Sequence, residues 1–364
     1  MKEIKVVQIV RGIGPTSMPW NDLHSNIKKL SPGLSLPPMV IGKLFGKSEW
    51  KLKLSSNGRN YLYLESSVFS SLIFIFKLAS RAKKSNSIIV FHVHNPSLFI
   101  VALFIKLFFK RNFLVTNLHN DWRFFKWHQK IGLRILSIVS DKFITVSYSI
   151  RETIPAYIGE KLEGGVVSSI PNGIDSKKLD QYKINNHRDK SAIIIARMVP
   201  QKNCFFILDM LSKAPFIEKI IWVGDGYQKS MIVEHAKLLG LNNKLSLVGV
   251  VTREQVYKLL IDSNVYIAAS KWEGIGVANL EAAALGCYPF LSDIPPHREI
   301  AENIGIDVYS LNDTDAWIAS LSSFFDAKLS VQAVKREKVS KLTKDKYNLL
   351  SAARKYIKIY FDFL

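Results

Sequence analysis

The run Trp272-Glu-Gly-Ile-Gly-Val-Ala-Asn-Leu-Glu-Ala-Ala-Ala-Leu-Gly-Cys287 directly follows the strand-like segment 265–268. A strand, a glycine turn and an alanine-rich helix in that order make a phosphate site. Gly274 and Gly276 allow the backbone to come close to a ligand, and the helix opening near Val277 presents the amides of Val277 and Ala278 with the positive end of its dipole. Glu273 lies in the turn and Glu281 one to two turns into the helix, so the two carboxylates can serve different ends of one ligand. A turn glutamate followed by an ordinary helical glutamate would explain the spacing alone, but not the whole string.

Outward from this run, short apolar segments alternate with helical patterns. Strands are expected at 192–196, 219–223, 244–248, 265–268 and 288–292, and an earlier series at 4–10, 87–92, 113–117 and 142–146. That alternation predicts parallel sheets with helical crossovers. With 364 residues and 48% hydrophobic content, the chain suits two α/β domains of roughly 170 residues each. The turn-rich Ile170-Pro-Asn-Gly-Ile-Asp175 and the polar stretch behind it put the boundary near 180. We expect one domain over 1–180, a second over 181–345, and a last helix over 346–364.

Polar residues at strand ends supply the remaining chemistry, because open α/β sheets bind ligands at their carboxyl edge. Arg197 and Lys202 follow the first strand of the second series, where fixed cations stabilise the charge of a departing diphosphate. His119 ends the strand at 113–117, where a neutral imidazole can support a developing positive charge or bond a hydroxyl. Gly12 and Gly14, after the first strand, bring backbone amides to the phosphates; as a dinucleotide fingerprint the segment fails, since Ser17 takes the third glycine position. Asp313-Thr-Asp315 reads as a helix N-cap rather than a metal–nucleotide motif. His92-Val-His94 puts two histidines on one strand face with no further ligand near in sequence, which favours a structural or acceptor-side role over a metal.

The E-x7-E spacing of Glu273 and Glu281 resembles that of the family-4 (group 1) retaining glycosyltransferases, as does the following Ser292-Asp-Ile-Pro-Pro-His-Arg-Glu-Ile300. Ile195-Ala-Arg-Met-Val-Pro-Gln-Lys-Asn203, Val223-Gly-Asp-Gly-Tyr227 and Pro171-Asn-Gly-Ile-Asp175 resemble further marks of that family, in the right order. The resemblance covers most of the chain from about 115 onward. It implies a GT-B fold, two Rossmann-like domains facing across a cleft, the N-terminal one (1–180) binding the acceptor and the C-terminal one (181–345) the nucleotide sugar, with the last helix (346–364) packed back on the first. It also implies hexose transfer with retention from a UDP- or GDP-linked donor. It gives His119 and Glu273 to the catalytic site, Arg197 and Lys202 to the diphosphate, and Glu281 to the ribose hydroxyls, while the loop of Gly12 and Gly14, read toward the diphosphate on its own residues, departs from the adjacent glycines common in the family. The backbone of Gly274, Ile275 and Gly276 is expected along the sugar. No cofactor and no metal are expected. Ala196, Asn203, Ala278 and Asn279 depart from the common pattern, and Asn279 is placed to tune donor choice.

The net charge of +20 is concentrated in the first half: 27 Lys/Arg against 11 Asp/Glu over 1–185, and 23 against 19 over 186–364. Such an excess attracts nucleic acid or an anionic membrane. Apolar runs beside the charges, at 68–84 and 97–112, favour a membrane; both are too short to span one and read as core helices with cationic ends or as interfacial helices. No nucleic-acid-binding motif accompanies the charge. Cys204 and Cys287 form no C-x-x-C pair, and the N-terminus lacks a signal-peptide pattern. The expectation is a cytoplasmic enzyme, peripheral on the inner face of the plasma membrane, acting on a glycan acceptor carried by a lipid such as a polyprenyl diphosphate in polysaccharide assembly. The rival readings are a nucleotide-sugar 2-epimerase on the same fold and a basic nucleic-acid-binding module.

Overall fold

A computed structural model describes residues 4–11, 19–31, 34, 39–41, 62–64, 75–76, 87–109, 111–158, 167–185 and 190–363. Two compact units emerge: 1–172 with 349–364, and 173–348.

The first unit holds a seven-stranded sheet built from β1 (Ile4–Arg11), β2 (Met39–Ile41), β3 (Leu62–Leu64), β4 (Ile88–Val93), β5 (Phe113–Leu118), β6 (Lys142–Thr145) and β7 (Val167–Ser169), in the order β3-β2-β1-β4-β5-β6-β7. Every described pairing is parallel. Alternation along the strands fills two layers. Ile89, Phe91, Val93 and Leu114 join the helix Phe99–Phe108 on one face, whereas Val90, Val115 and Ile144 meet the helix Leu349–Phe361 on the other. The chain's last helix is therefore part of this unit's core, through Tyr356 and Tyr360.

The second unit contains β8 (Ser191–Ile195), β9 (Lys219–Val223), β10 (Leu245–Gly249), β11 (Val265–Ala268), β12 (Tyr288–Ser292) and β13 (Val308–Tyr309), ordered β10-β9-β8-β11-β12-β13 and again parallel. Ala192, Ile194, Val265 and Ile267 face one core; Ile193, Tyr266 and Ala268 face the other. Strand order reverses at β8/β11 here and at β1/β4 in the first unit, the switch points where sheets of this kind open a crevice at their carboxyl edges.

The division falls between Asn172 and Gly173, not at 180, and again between Asn348 and Leu349, not at 345. Ile174 explains the first shift: its N–H donates to Tyr347 O at 2.8 Å, it bridges Asn348, and with Leu179 it is buried in the second unit's core. The strands absent from the expected series, β2, β3, β7 and β13, are two or three residues long.

The apolar run 97–112 contributes Val101, Ala102 and Ile105 to the core but leaves Ile100, Leu107 and Phe108 exposed. Its Lys106 pairs with Asp141 at 2.6 Å. The run 68–84 lies outside the described residues except Ile75 and Phe76, as do Gly12 and Gly14. Among the described residues no helix is long and apolar enough to cross a membrane.

Candidate active site

In the second unit, the carboxyl ends of β8 and β11 bring Lys202 and Glu273 into an ion pair. Two contacts tie these loops: Lys271 N–H donates to Gln201 O at 2.9 Å, and the Gln201 side-chain amide donates to Trp272 O at 2.8 Å. Ser270 Oγ donates to the same Glu273 oxygen at 2.8 Å. Burial alone would raise the Glu273 carboxyl, but the Lys202 ammonium, aided by the Ser270 hydrogen bond, holds it below the usual carboxylate range. It is therefore ionised at neutral pH. One ammonium has three donors, so Lys202 keeps capacity for a phosphate while paired. Arg197, after β8, is exposed and has no ion-pair partner among the described residues.

Beneath the pair lies His297, fully buried. Its Nδ1 stands 2.9 Å from Ser292 O, and a carbonyl only accepts, so Nδ1 carries the proton and Nε2 is an acceptor without a partner among the described residues. Ser292 Oγ donates to Ser270 O at 2.7 Å, which links this layer to the Ser270–Glu273 turn. Burial lowers the His297 pKa to about 4, so the ring is neutral beside Glu273.

Gly276 caps the helix Val277–Ala284 with φ +71°, and a Cβ there would collide with the Asn279 side chain. A glycine is thus required where the first helical amides, those of Val277 and Ala278, face outward from the turn. Asn279 is buried; its Oδ1 accepts from Tyr266 Oη at 2.9 Å, and its Nδ2 has no partner among the described residues.

Glu281, 7% exposed, lies further along the same helix. Its Oε1 accepts from Arg253 Nε at 2.6 Å and from Tyr257 Oη at 2.8 Å, while the Arg253 guanidinium sits 5.6 Å over the Tyr257 ring. Both donors engage the same carboxylate oxygen. Arg253 and Tyr257 come from the helix Arg253–Asp262 that follows β10; the string 272–287 gives no sign of them.

In the first unit, His94 and His119 follow β4 and β5, paired parallel neighbours. His94 Nδ1 and His119 Nε2 share a hydrogen bond of 2.9 Å. His92 stacks on His94 with centroids 4.3 Å apart and bonds Tyr360 Oη through Nδ1 at 2.7 Å, while Asn117 Nδ2 donates to Tyr356 Oη at 2.9 Å. Burial lowers His119 to about 4; burial, then His119, lowers His92 to about 3. The third histidine absent from the sequence around His92-Val-His94 thus comes across the sheet. Among the described residues no three His, Cys, Asp or Glu side chains are arranged to hold a metal, and Asp313 caps its helix by accepting from Ala316 N–H at 3.0 Å.

Residues 175–336 match the family model described as Glycosyl transferases group 1, and residues 55–178 that of Glycosyltransferase Family 4. An uncharacterized glycosyltransferase of Methanocaldococcus jannaschii is 27% identical over 197 residues, covering 49% of this chain and 50% of that protein. The UDP-Gal:alpha-D-GlcNAc-diphosphoundecaprenol alpha-1,3-galactosyltransferase of Escherichia coli is 27% identical over 182 residues, 45% and 46% of the two chains. The chain therefore spans about half the length of these curated relatives. The crystal structure of Anabaena HepE in complex with UDP and glucose covers 98% of this chain and 99% of its own at a TM-score of 0.77 and 15% identity, a likeness of fold. Two adjoining family matches that run from 55 to 336, on a GT-B pair of Rossmann-like sheets, place the chain in the group 1, family-4-like glycosyltransferases.

Proposed function

We propose that this chain transfers a hexose, with retention of anomeric configuration, from a UDP- or GDP-sugar to a hydroxyl of a lipid-linked glycan during polysaccharide assembly. The observation that carries the donor half is the disposition of one helix. Lys202, paired with Glu273 in the turn before it, and the amides of Val277 and Ala278 at its start are read as the diphosphate site, joined by the exposed Arg197 after β8, and Glu281 further along is read as the ribose site. Glu273 and the turn Gly274-Ile275-Gly276 lie between them for the sugar.

In the reaction, the bond from the anomeric carbon to the leaving phosphate oxygen breaks and its electron pair goes to the diphosphate, where Arg197, Lys202 and the helix dipole stabilise the charge. The acceptor hydroxyl bonds the anomeric carbon from the same face, and its proton passes to the departing phosphate oxygen. The ionised Glu273 and neutral His119 support the positive charge that develops on the ring. Diphosphate charge is met by fixed cations and amides, so the reading needs no divalent ion and no cofactor. The acceptor half is supported by the basic first half of the chain and by the diphosphoundecaprenol acceptor named for the E. coli relative. Those charges also favour a position on the anionic inner face of the membrane.

Calorimetry with a panel of UDP- and GDP-sugars tests the donor site. One sugar nucleotide should bind, and Glu281→Ala and Arg197→Ala/Lys202→Ala should weaken it; failure of the whole panel to bind would overturn the reading. Proton NMR of the first-formed product should show the anomeric configuration of the donor.

A further inference from the structure

The helix Trp127–Val139, with the sequence WHQKIGLRILSIV, contains no acidic residue. Its inward face is ordinary: Leu133 and Leu136 are fully buried, and Gly132 lies against Pro96 O and Phe99, with only 2.8 Å from a would-be Cβ to the Phe99 ring. Its outward face is not ordinary. Trp127 is 75% exposed, Ile131 48% and Ile138 77%, and between them Lys130 and Arg134 are also exposed. Spacings of three, four, seven and eleven from Trp127 put all five on one helical stripe. Solvent-facing stripes of soluble helices are normally polar; this one alternates large apolar groups with cations. Lys130 lies 5.6 Å over the Trp122 ring and Arg134 5.9 Å over the Tyr157 ring, which keeps their apolar stems on the surface beside the stripe.

We infer that this face is the membrane-docking surface of the first unit, lying in the headgroup layer of an anionic bilayer. The inference rests on the reading that the enzyme works at such a membrane and narrows it to one helix. Charge complementarity chooses the occupant: Lys and Arg attract anionic headgroups, Trp127 suits the interface between water and acyl chains, and Ile131 and Ile138 insert below it. The helix is anchored from behind through Gly132 and the buried leucines, so the stripe can be lost into lipid without unfolding the unit.

Flotation with vesicles of phosphatidylcholine mixed with phosphatidylglycerol, against phosphatidylcholine alone, provides the test. Full-length wild type should float with the anionic vesicles and be released by salt. Lys130→Glu/Arg134→Glu and Trp127→Ser/Ile131→Ser/Ile138→Ser should each reduce partitioning by about tenfold or more, while circular dichroism and nucleotide-sugar binding stay as in wild type. An Ile138→Cys variant carrying an environment-sensitive fluorophore should shift to the blue only with anionic vesicles; Cys204 and Cys287 are buried and do not compete.

Variants that float like wild type would overturn the assignment of this helix alone. Wild type that does not float, or a stripe consumed by concentration-dependent dimerisation that the same substitutions abolish, would overturn membrane docking altogether. Nucleotide-sugar binding, measured separately, reports on the transferase reading whatever the flotation result.

Discussion

His94 Nδ1 and His119 Nε2 lie 2.9 Å apart, so the two imidazoles share one proton and the tautomer of either ring fixes that of the other. With Nε2 engaged, the proposed role of His119 falls to Nδ1. His94 is thus a positioning residue for the proposed catalytic group. His94→Ala should lower kcat/KM by about tenfold, ~1.4 kcal/mol, with the change in kcat. His94→Gln, which can still bond Nε2, should recover part of it. His119→Ala should cost about a hundredfold or more. Equal rates for His94→Ala and wild type would remove the positioning role.

The two donors on Glu281 Oε1 lead to a graded expectation for donor affinity. Glu281→Ala removes the carboxylate and should weaken nucleotide-sugar binding by about tenfold to a hundredfold, the range for bonds to a charged group. Tyr257→Phe leaves the carboxylate in place with one restraint fewer and should weaken it only about threefold. Calorimetry at one temperature separates the two, and equal effects would mean that Tyr257 matters through folding rather than through Glu281.

Lys202 and Glu273 are coupled in stability as well as chemistry. Their side chains are 20% and 11% exposed, so Lys202→Met leaves a mostly buried carboxylate unpaired, at a cost of about 3 kcal/mol. Adding Glu273→Gln should restore much of that stability and none of the activity. The carboxyl pKa is depressed in the folded state; its contribution is present above the unfolded value and lost as pH falls through the folded one. Without Lys202 the acid limb of the residual activity should move to higher pH. A pH–rate profile with an unchanged acid limb would show that Glu273 is not the group it reports.

What the sequence disclosed and what it withheld follow from distance along the chain. The longer strands of both sheets are predominantly apolar, so their positions along the chain could be read directly; β2, β3, β7 and β13 are too short for any periodicity. Gly274, Gly276, Glu273 and Glu281 share one stretch, and the chemistry of that stretch is local. Arg253 and Tyr257 meet Glu281 from 28 and 24 residues away, and nothing in their own surroundings marks them. His119 reaches His94 across 25 residues by strand pairing, which a scan for neighbouring ligands does not see. The stripe of Trp127 is hidden differently: its helix is apolar on both faces, so hydrophobic pattern alone does not say which face is outside.

Acid should destabilise this protein earlier than carboxylate protonation alone would. His92 and His297 are fully buried, and burial lowers them to about 3 and about 4 from an unfolded value of 6.5. Above pH 6.5 neither state binds these protons, and the two rings contribute no pH dependence. Below it, the unfolded chain takes up protons that the folded chain refuses, so stability falls by up to about 1.4 kcal/mol per pH unit for each ring until the folded pKa is reached. Urea unfolding at about pH 7.5 and about pH 5 should show this loss. His92→Gln retains a polar partner for Tyr360 but removes one titrating ring. It should be less stable than wild type at neutral pH, yet lose less stability on acidification, and an undiminished acid loss would mean that His92 protonates in the folded state.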